Sequence, residues 1–444
     1  MPDFFQNGSI GTIHQLNERE TSELEKNLAQ WGKESPIALV IPCLFSELEN
    51  SALPKIVDEL TQASYLSEIV VGLDNASKDQ FEIAKKFFSK LPQKHRILWQ
   101  DGPHLQEINQ SLGRFGFPPE RSGKGRNMWY CLGYLLARNE FQTIACHDAD
   151  IKNYDRSLLA RLLYPIVQPS FNYAFAKGYY YRASTDQSET RLHGRVSRLY
   201  VTPLIRALST TFGRTDELEY LDSFRYPLAG ESAMDISVAR SLRFPSDWGL
   251  EIGVLSEVYA RYPNARICQV DIASDYDHKH QPLSDDDKTT GLHRMSRDIA
   301  KAFFRKLTTS GFSLTQESFR TLRATYMRAA LELIEHYESD AVSNSMTYDR
   351  KQEESMVSLF GQSVLEAGED FLQNPLENPF TSSWSEVQSE NKEVFVDLLA
   401  AIESDNDTPQ TISPLPFHNA FLTKACDNSI MKDTRTLLDS LWFL

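Results

Sequence analysis

Four short, largely apolar runs alternate with segments of helical spacing across residues 37–146, and this alternation constrains the fold more than any other feature of the chain. The runs occupy 37–42, 68–74, 96–99 and 143–146, and the first ends on Pro42. Continuous apolar character, rather than strict alternation with polar residues, is expected of strands covered on both faces. Between the runs, 53–63, 79–91 and 124–139 have helical periodicity, with Met128, Leu132, Leu135 and Leu136 marking one face of the last. Residues 101–123, dense in glycine, proline and charge, read as a long loop. Strand and helix in turn predict a doubly wound α/β sheet with parallel strands. Such sheets bind ligands outside the carboxyl ends of their strands, where Pro42, Asp74 and the group His147, Asp148 and Asp150 all fall.

The second half is expected to add a strand at 175–182, helices at 193–208, 230–242 and 253–262, and a strand at 266–272. From residue 292 the pattern is helical, over 292–308, 316–339 and 352–373, until Asn374-Pro375 and Asn378-Pro379 break it; 403–414 read as a mobile polar link. Three parts follow: a helical lead-in at 1–35, a sheet domain at 36–308 and a helical C-terminal extension at 309–444.

The net charge of −15 disfavours nucleic acid as a partner, which needs a basic face, but leaves room for a small anion held by a few local cations. No apolar stretch approaches the length of a membrane span, and residues 1–11 lack a basic region followed by an apolar run, so a cytoplasmic protein without a membrane partner is expected. The five cysteines are scattered without a Cys-x-x-Cys pair, which argues against a zinc site or a disulfide framework.

Asp148 and Asp150 stand at i and i+2 on an extended chain, so both carboxylates can face one hard cation such as Mg²⁺ or Mn²⁺. The chain has four Asp-x-Asp matches, and only this one follows a strongly apolar strand. Gly123-Lys124-Gly125, just before a helix, offers backbone N–H groups and one ammonium to a phosphate, although in isolation it reads equally as a basic turn. Glu231 and Glu251 sit among glycines and apolar residues, where a glutamate caps a helix or meets a ligand; His278 and His280 follow the strand at 266–272.

Taken in order, Pro42-Cys43-Leu44, Asp74-Asn75-Ala76-Ser77, Gly123-Lys124-Gly125, Asp148-Ala149-Asp150, Gly194-Arg195-Val196, Pro227-Leu228-Ala229-Gly230-Glu231, Gly249-Leu250-Glu251-Ile252-Gly253 and His278-Lys279-His280-Gln281-Pro282-Leu283 resemble the glucosyl-3-phosphoglycerate synthases, retaining glycosyltransferases of the GT-A fold. The resemblance covers about residues 37–308. It implies a GT-A, Rossmann-like sheet that binds a nucleotide sugar. It implies transfer of glucose, from UDP-glucose, to 3-phosphoglycerate with Mg²⁺ or Mn²⁺, by a homodimer. By the same resemblance, Asp148, Asp150 and His278 hold the metal. Pro42, Leu44, Glu47, Asp74, Ser77, Lys124, Asp148 and Ala149 line the donor site. Gly194, Arg195, Val196, Ser197 and His280 take the acceptor, and Glu251, Asp150 and Lys124 serve the chemistry. The glutamate that follows Pro-x-Leu is displaced by one position, to Glu47, and His280 stands where the family has an asparagine. These departures leave GDP-linked sugars and glycerate as alternative substrates. A sugar nucleotidyltransferase is a further alternative; it calls for a glycine-rich loop after the first strand, and residues 42–50 contain no glycine.

Overall fold

The computed structural model describes residues 6, 8–17, 19–117, 122–186, 189–274, 276–277, 291–375, 377 and 379–407. Among them the strands are β1 (Gly11–Ile13), β2 (Ile37–Leu44), β3 (Leu66–Asp74), β4 (Lys94–Trp99), β5 (Thr143–Cys146), β6 (Phe175–Tyr180), β7 (Ala183–Asp186), β8 (Glu189–Leu192), β9 (Ser232–Asp235) and β10 (Ile267–Ala273). Eight of these described strands form one sheet in the order β1-β10-β6-β9-β5-β2-β3-β4, and β7 pairs with β8 in a separate hairpin. The four strands read from the first apolar runs are β2, β3, β4 and β5, and they pair in parallel.

The sheet is mixed rather than wholly parallel, because β9 runs antiparallel to both β5 and β6. Residues 230–242, expected to be one helix, divide into β9 and the helix Ile236–Ser241, whose first turn Asp235 caps by accepting from Ser237 N at 2.8 Å. A strand of four residues is too short for periodicity to announce it. Its reversed direction brings the start of β9 to the edge where β5 ends: Ser232 is registered against Cys146 on one side and against Lys177, midway along β6, on the other.

Two other expectations are corrected. Within 101–123 lies the helix Pro103–Arg114, which buries Leu105, Ile108 and Leu112 and starts on a proline, a residue suited to the first helical turn. Residues 1–35 supply the helix Thr21–Trp31 and also the edge strand β1, parallel to β10.

Both faces of the sheet are covered. Ile37, Leu39 and Ile41 of β2 face one buried cluster, with Phe81, Phe88 and Leu159; Ala38 and Val40 face the other, with Trp129, Leu132 and Tyr134. That second cluster continues into Phe319, Tyr326, Phe360 and Phe371, on the long helices Gln316–Ser343 and Arg350–Gln373. Beyond the Asn-Pro breaks, the helix Trp384–Glu390 stacks Trp384 on Trp129 at 4.0 Å. The helix Val394–Asn406 covers the sheet edge: the Asn406 amide accepts from Ile97 N at 2.9 Å and donates to Ile97 O at 2.8 Å, satisfying that residue of β4, the last strand on this side among the described residues. Residues 408–414 of the expected link lie outside the described residues. No described helix is long and apolar enough to cross a membrane.

Candidate active site

Lys124 is the hub of the carboxyl edge. Its helix, Lys124–Arg138, begins without a side-chain cap, and Gly123 before it has φ 144°, in the region that favours glycine. Gly125 is required by contact: a Cβ there would meet Pro245 O at 2.0 Å. The glycines of the Gly-Lys-Gly stretch thus set the turn and the close approach, and leave the first N–H groups of the helix without side-chain acceptors. Lys124 Nζ donates to Asp148 Oδ1 at 2.7 Å and to Glu251 Oε1 at 3.2 Å. Burial disfavours its charge, but Asp148 and Glu251 outweigh that and hold its pKa above the usual value.

The residues after β5 divide between structure and site. His147 is buried; its Nδ1 lies 2.9 Å from Asp148 O and its Nε2 3.4 Å from Tyr154 OH, and burial lowers its pKa, so it is a neutral packing group. Ala149 is buried, whereas Asp148 and Asp150 are half-buried. A Cβ on Gly230 would lie 2.4 Å from Asp148 Oδ2, so the turn leading into β9 leaves a cradle for that carboxylate. The Asp150 pKa rises to about 7, first through burial and then through Asp148, with Glu47 and Glu231 adding and Lys124 opposing.

Glu231 has a different task from Glu251. It is fully buried and accepts from Tyr180 OH at 2.9 Å and Tyr276 OH at 2.6 Å, whose rings stack at 3.6 Å. Glu251, in the first turn of the helix Leu250–Arg261, keeps part of its carboxylate accessible.

On the other side of β2, Asp74 ends β3, accepts from Asn75 N at 3.0 Å and stands 4.0 Å from Arg126; burial raises its pKa, with Arg126 opposing. Ser77 caps the next helix, accepting from Gln80 N at 3.3 Å, which leaves its hydroxyl proton for another acceptor. Glu47 is buried and accepts from Asn50 Nδ2 at 2.9 Å. Pro42 is half-buried and Leu44 is exposed.

Four of the five acceptor candidates, Gly194 to Ser197, form one segment. Gly194 has φ 71°, and Arg195 and Val196 are half-buried. The Ser197 hydroxyl is buried without a hydrogen-bond partner. The Arg195 pKa is lowered by burial, then by Arg198, with Arg191 and Arg182 adding and Glu353 opposing. Positive charge therefore outweighs negative around Arg195. His278 and His280 lie outside the described residues; Asp277 is held beside Lys152 and Asn153, its N donating to Asn153 Oδ1 at 2.9 Å. Of the other Asp-x-Asp matches, Asp405 is taken by His104.

Lys177 is a member of the site that the sequence motifs do not include. It points from β6 with 3 % of its surface exposed, and burial lowers its pKa to about 8, against the pull of Glu251. A lysine inside an apolar strand is the sequence signal that marks it, since lysine is rarely buried without cause. Five carboxylates (Glu47, Asp148, Asp150, Glu231 and Glu251) and two ammoniums (Lys124 and Lys177) act on one another here. Among the described residues no three His, Cys, Asp or Glu side chains are gathered as metal ligands. The excess of carboxylates and the Gly230 cradle nevertheless fit a hard cation that takes one or two carboxylates and completes its shell from phosphate and water.

An α/β sheet with helices on both faces, carboxylates at the end of its central strand and a helical C-terminal region is the architecture that the resemblance to GT-A glycosyltransferases implies. No family model matches the chain. It is 42% identical over 408 residues to the glucosyl-3-phosphoglycerate synthase of Persephonella marina, covering 91% of this chain and 99% of that protein. It is 38% identical over 375 residues to the synthase of Methanococcoides burtonii, covering 84% and 91%. A crystal structure of the Mycobacterium tuberculosis synthase in complex with Mn²⁺, UDP-glucose and phosphoglyceric acid aligns at 21% identity with a TM-score of 0.49, covering 67% of this chain and 88% of that one. The chain belongs to the glucosyl-3-phosphoglycerate synthase family.

Proposed function

We propose that the protein moves glucose from UDP-glucose to 3-phosphoglycerate with retention of configuration, in the cytoplasm, with Mg²⁺ or Mn²⁺ held by Asp148, Asp150 and His278. The observation that carries the reading is the Lys124 bridge between Asp148 and Glu251 at the strand ends, in a chain 42% identical to a synthase of that name. When bound, the metal supplies charge stabilisation to the departing diphosphate. Lys124 adds an ammonium to the same oxygens, and the N–H groups at the uncapped start of its helix are donors suited to the same anion. Pro42, Leu44, Glu47, Asp74, Ser77 and Ala149 border the donor. Glu251 faces the sugar, held by Lys124.

Arg195 presents a guanidinium fork to the acceptor's phosphate or carboxylate, with Gly194, Val196, Ser197 and His280 around it. The acceptor hydroxyl attacks from the face that the diphosphate leaves, and the departing phosphate takes its proton. Isolation of a glycosyl ester on Glu251 or Asp150 would replace this route by double displacement.

The test is a donor-by-acceptor matrix with each metal: UDP- and GDP-linked sugars against 3-phosphoglycerate and glycerate. Turnover with UDP-glucose and 3-phosphoglycerate, abolished by chelation and restored by Mg²⁺ or Mn²⁺, is expected, with an α-linked product by NMR. Preference for a GDP donor or for glycerate would overturn the assigned substrates. The family reading also carries a homodimer, which light scattering checks.

A further inference from the structure

Two groups of the C-terminal helical region, Glu353 and Tyr326, converge on the short segment 194–201. Glu353, on the helix Arg350–Gln373, takes both arms of the Arg198 guanidinium, with Nη1 donating to Oε2 at 2.6 Å and Nη2 donating to Oε1. Both side chains are buried, and Tyr348 OH donates to the same Glu353 Oε2 at 2.6 Å. The remaining Arg198 donors reach back along the chain: Nε to His193 O at 2.9 Å and Nη2 to Leu192 O at 3.5 Å.

Next along, residues Ser197–Val201 form a π-helical turn, a geometry that leaves backbone carbonyls to be satisfied from outside. Tyr326, buried on the helix Gln316–Ser343, donates its hydroxyl to Leu199 O at 2.8 Å. Between the two long helices, Thr347 N donates to Thr190 O at 2.7 Å, tying their connection to β8.

We infer that this helix pair is a clamp that fixes the anion-binding segment of the acceptor site, with Glu353 and Tyr326 as positioning residues for Gly194, Arg195 and Ser197. The inference rests on the acceptor role proposed above. Arg198 itself is engaged by Glu353 and by two carbonyls, so within the segment 194–201 Arg195, three residues earlier, is the other guanidinium and the one positioned to meet an anion. An arginine on an untethered turn would lose rotational freedom each time it bound; a segment held at Leu192, His193, Arg198 and Leu199 has lost it already. The pairing also keeps a negative charge within the arginine cluster without placing it on Arg195.

Removing Glu353 alone would strand a buried guanidinium and unfold the region. The test therefore uses the paired replacement Arg198→Met with Glu353→Met, which leaves no orphan charge, and separately Tyr326→Phe. Each folded variant is expected to raise KM for 3-phosphoglycerate, by about tenfold for the pair, with KM for UDP-glucose held within about twofold. Amide exchange at 193–201 should quicken while β2 and β3 keep their protection. An unchanged acceptor KM with unchanged exchange, or both KM values rising together, would overturn the clamp. Absence of turnover in the wild-type protein would refute the proposed function instead, and the exchange measurement would then decide the clamp by itself.

Discussion

Lys124 Nζ and Asp148 Oδ1 stand 2.7 Å apart at the carboxyl edge of the sheet. A lysine in that place competes with any cation that Asp148 binds. Lys124→Met should therefore move two observables in opposite directions. Turnover should fall by about 10²–10³-fold, the usual loss on removing one donor to developing charge. Mn²⁺ affinity in the absence of nucleotide should rise, because Asp148 loses its resident counter-ion. Titration calorimetry and steady-state kinetics on one preparation check both; unchanged Mn²⁺ affinity would remove Asp148 from the metal shell.

Gly230 tests the placement of the same carboxylate from the other side. A Cβ there would lie 2.4 Å from Asp148 Oδ2 and 2.5 Å from its Cγ. Asp148 is half-buried and its carboxylate can swing aside, so Gly230→Ala should cost little stability. A displacement of about 1 Å in an aligned group is enough to lower turnover by about 10²-fold. Loss of kcat with a melting temperature close to wild type is the expected result; normal kcat would show that Asp148 need not stand where Gly230 leaves room for it.

Lys177 sets stability against function. Its folded pKa of about 8 lies below the ordinary 10.5. Between those values the unfolded chain binds more protons, so stability from this group rises with pH across that window; below it, the full cost of a buried ammonium is present. The shift corresponds to on the order of 3 kcal/mol. Lys177→Met should thus be more stable than wild type at pH 7, with the difference fading above pH ~10, while activity drops because Glu251 loses a nearby positive charge. Denaturant unfolding across pH reads the first effect and kcat the second. A variant less stable at pH 7 would mean that the lysine holds the fold together as a structural ion.

The strands that carry this edge of the candidate site are legible because 37–42, 68–74 and 143–146 are apolar on both faces, and little besides a strand covered from both sides requires such a run. From them the convergence of Pro42, Asp74 and Asp148 follows. β9 is hidden because Ser232-Ala233-Met234-Asp235 is short and small-sided, and its antiparallel course is set by the partners on either side. Glu231 and Glu251 look alike in sequence, each within two residues of a glycine; only the tyrosines that arrive from β6 and from residue 276 separate the locked one from the accessible one. Lys177 stands out as a charge within an apolar strand, but no motif ties it to the site. The hold of Glu353 on Arg198 spans 155 residues and leaves no local signal.

Gly133 shows how the helix Trp384–Glu390 is docked. It lies inside the helix Lys124–Arg138, where alanine in place of glycine ordinarily gains about 1 kcal/mol of helix propensity. Here a Cβ would fall 2.1 Å from Trp384 Cζ2. The indole cannot retreat easily: it stacks on Trp129 at 4.0 Å, its Nε1 donates to Trp129 O at 2.8 Å, and Trp129 Nε1 donates to Ser382 O at 2.9 Å. Overpacking of about 1–3 kcal/mol should therefore exceed the propensity gain. Gly133→Ala is expected to melt several degrees lower and to expose the stretch from Trp384 to Asn406 to protease before the sheet unfolds. A variant that melts higher than wild type would show that the two tryptophans part without cost, and that the glycine serves only to let the helix form.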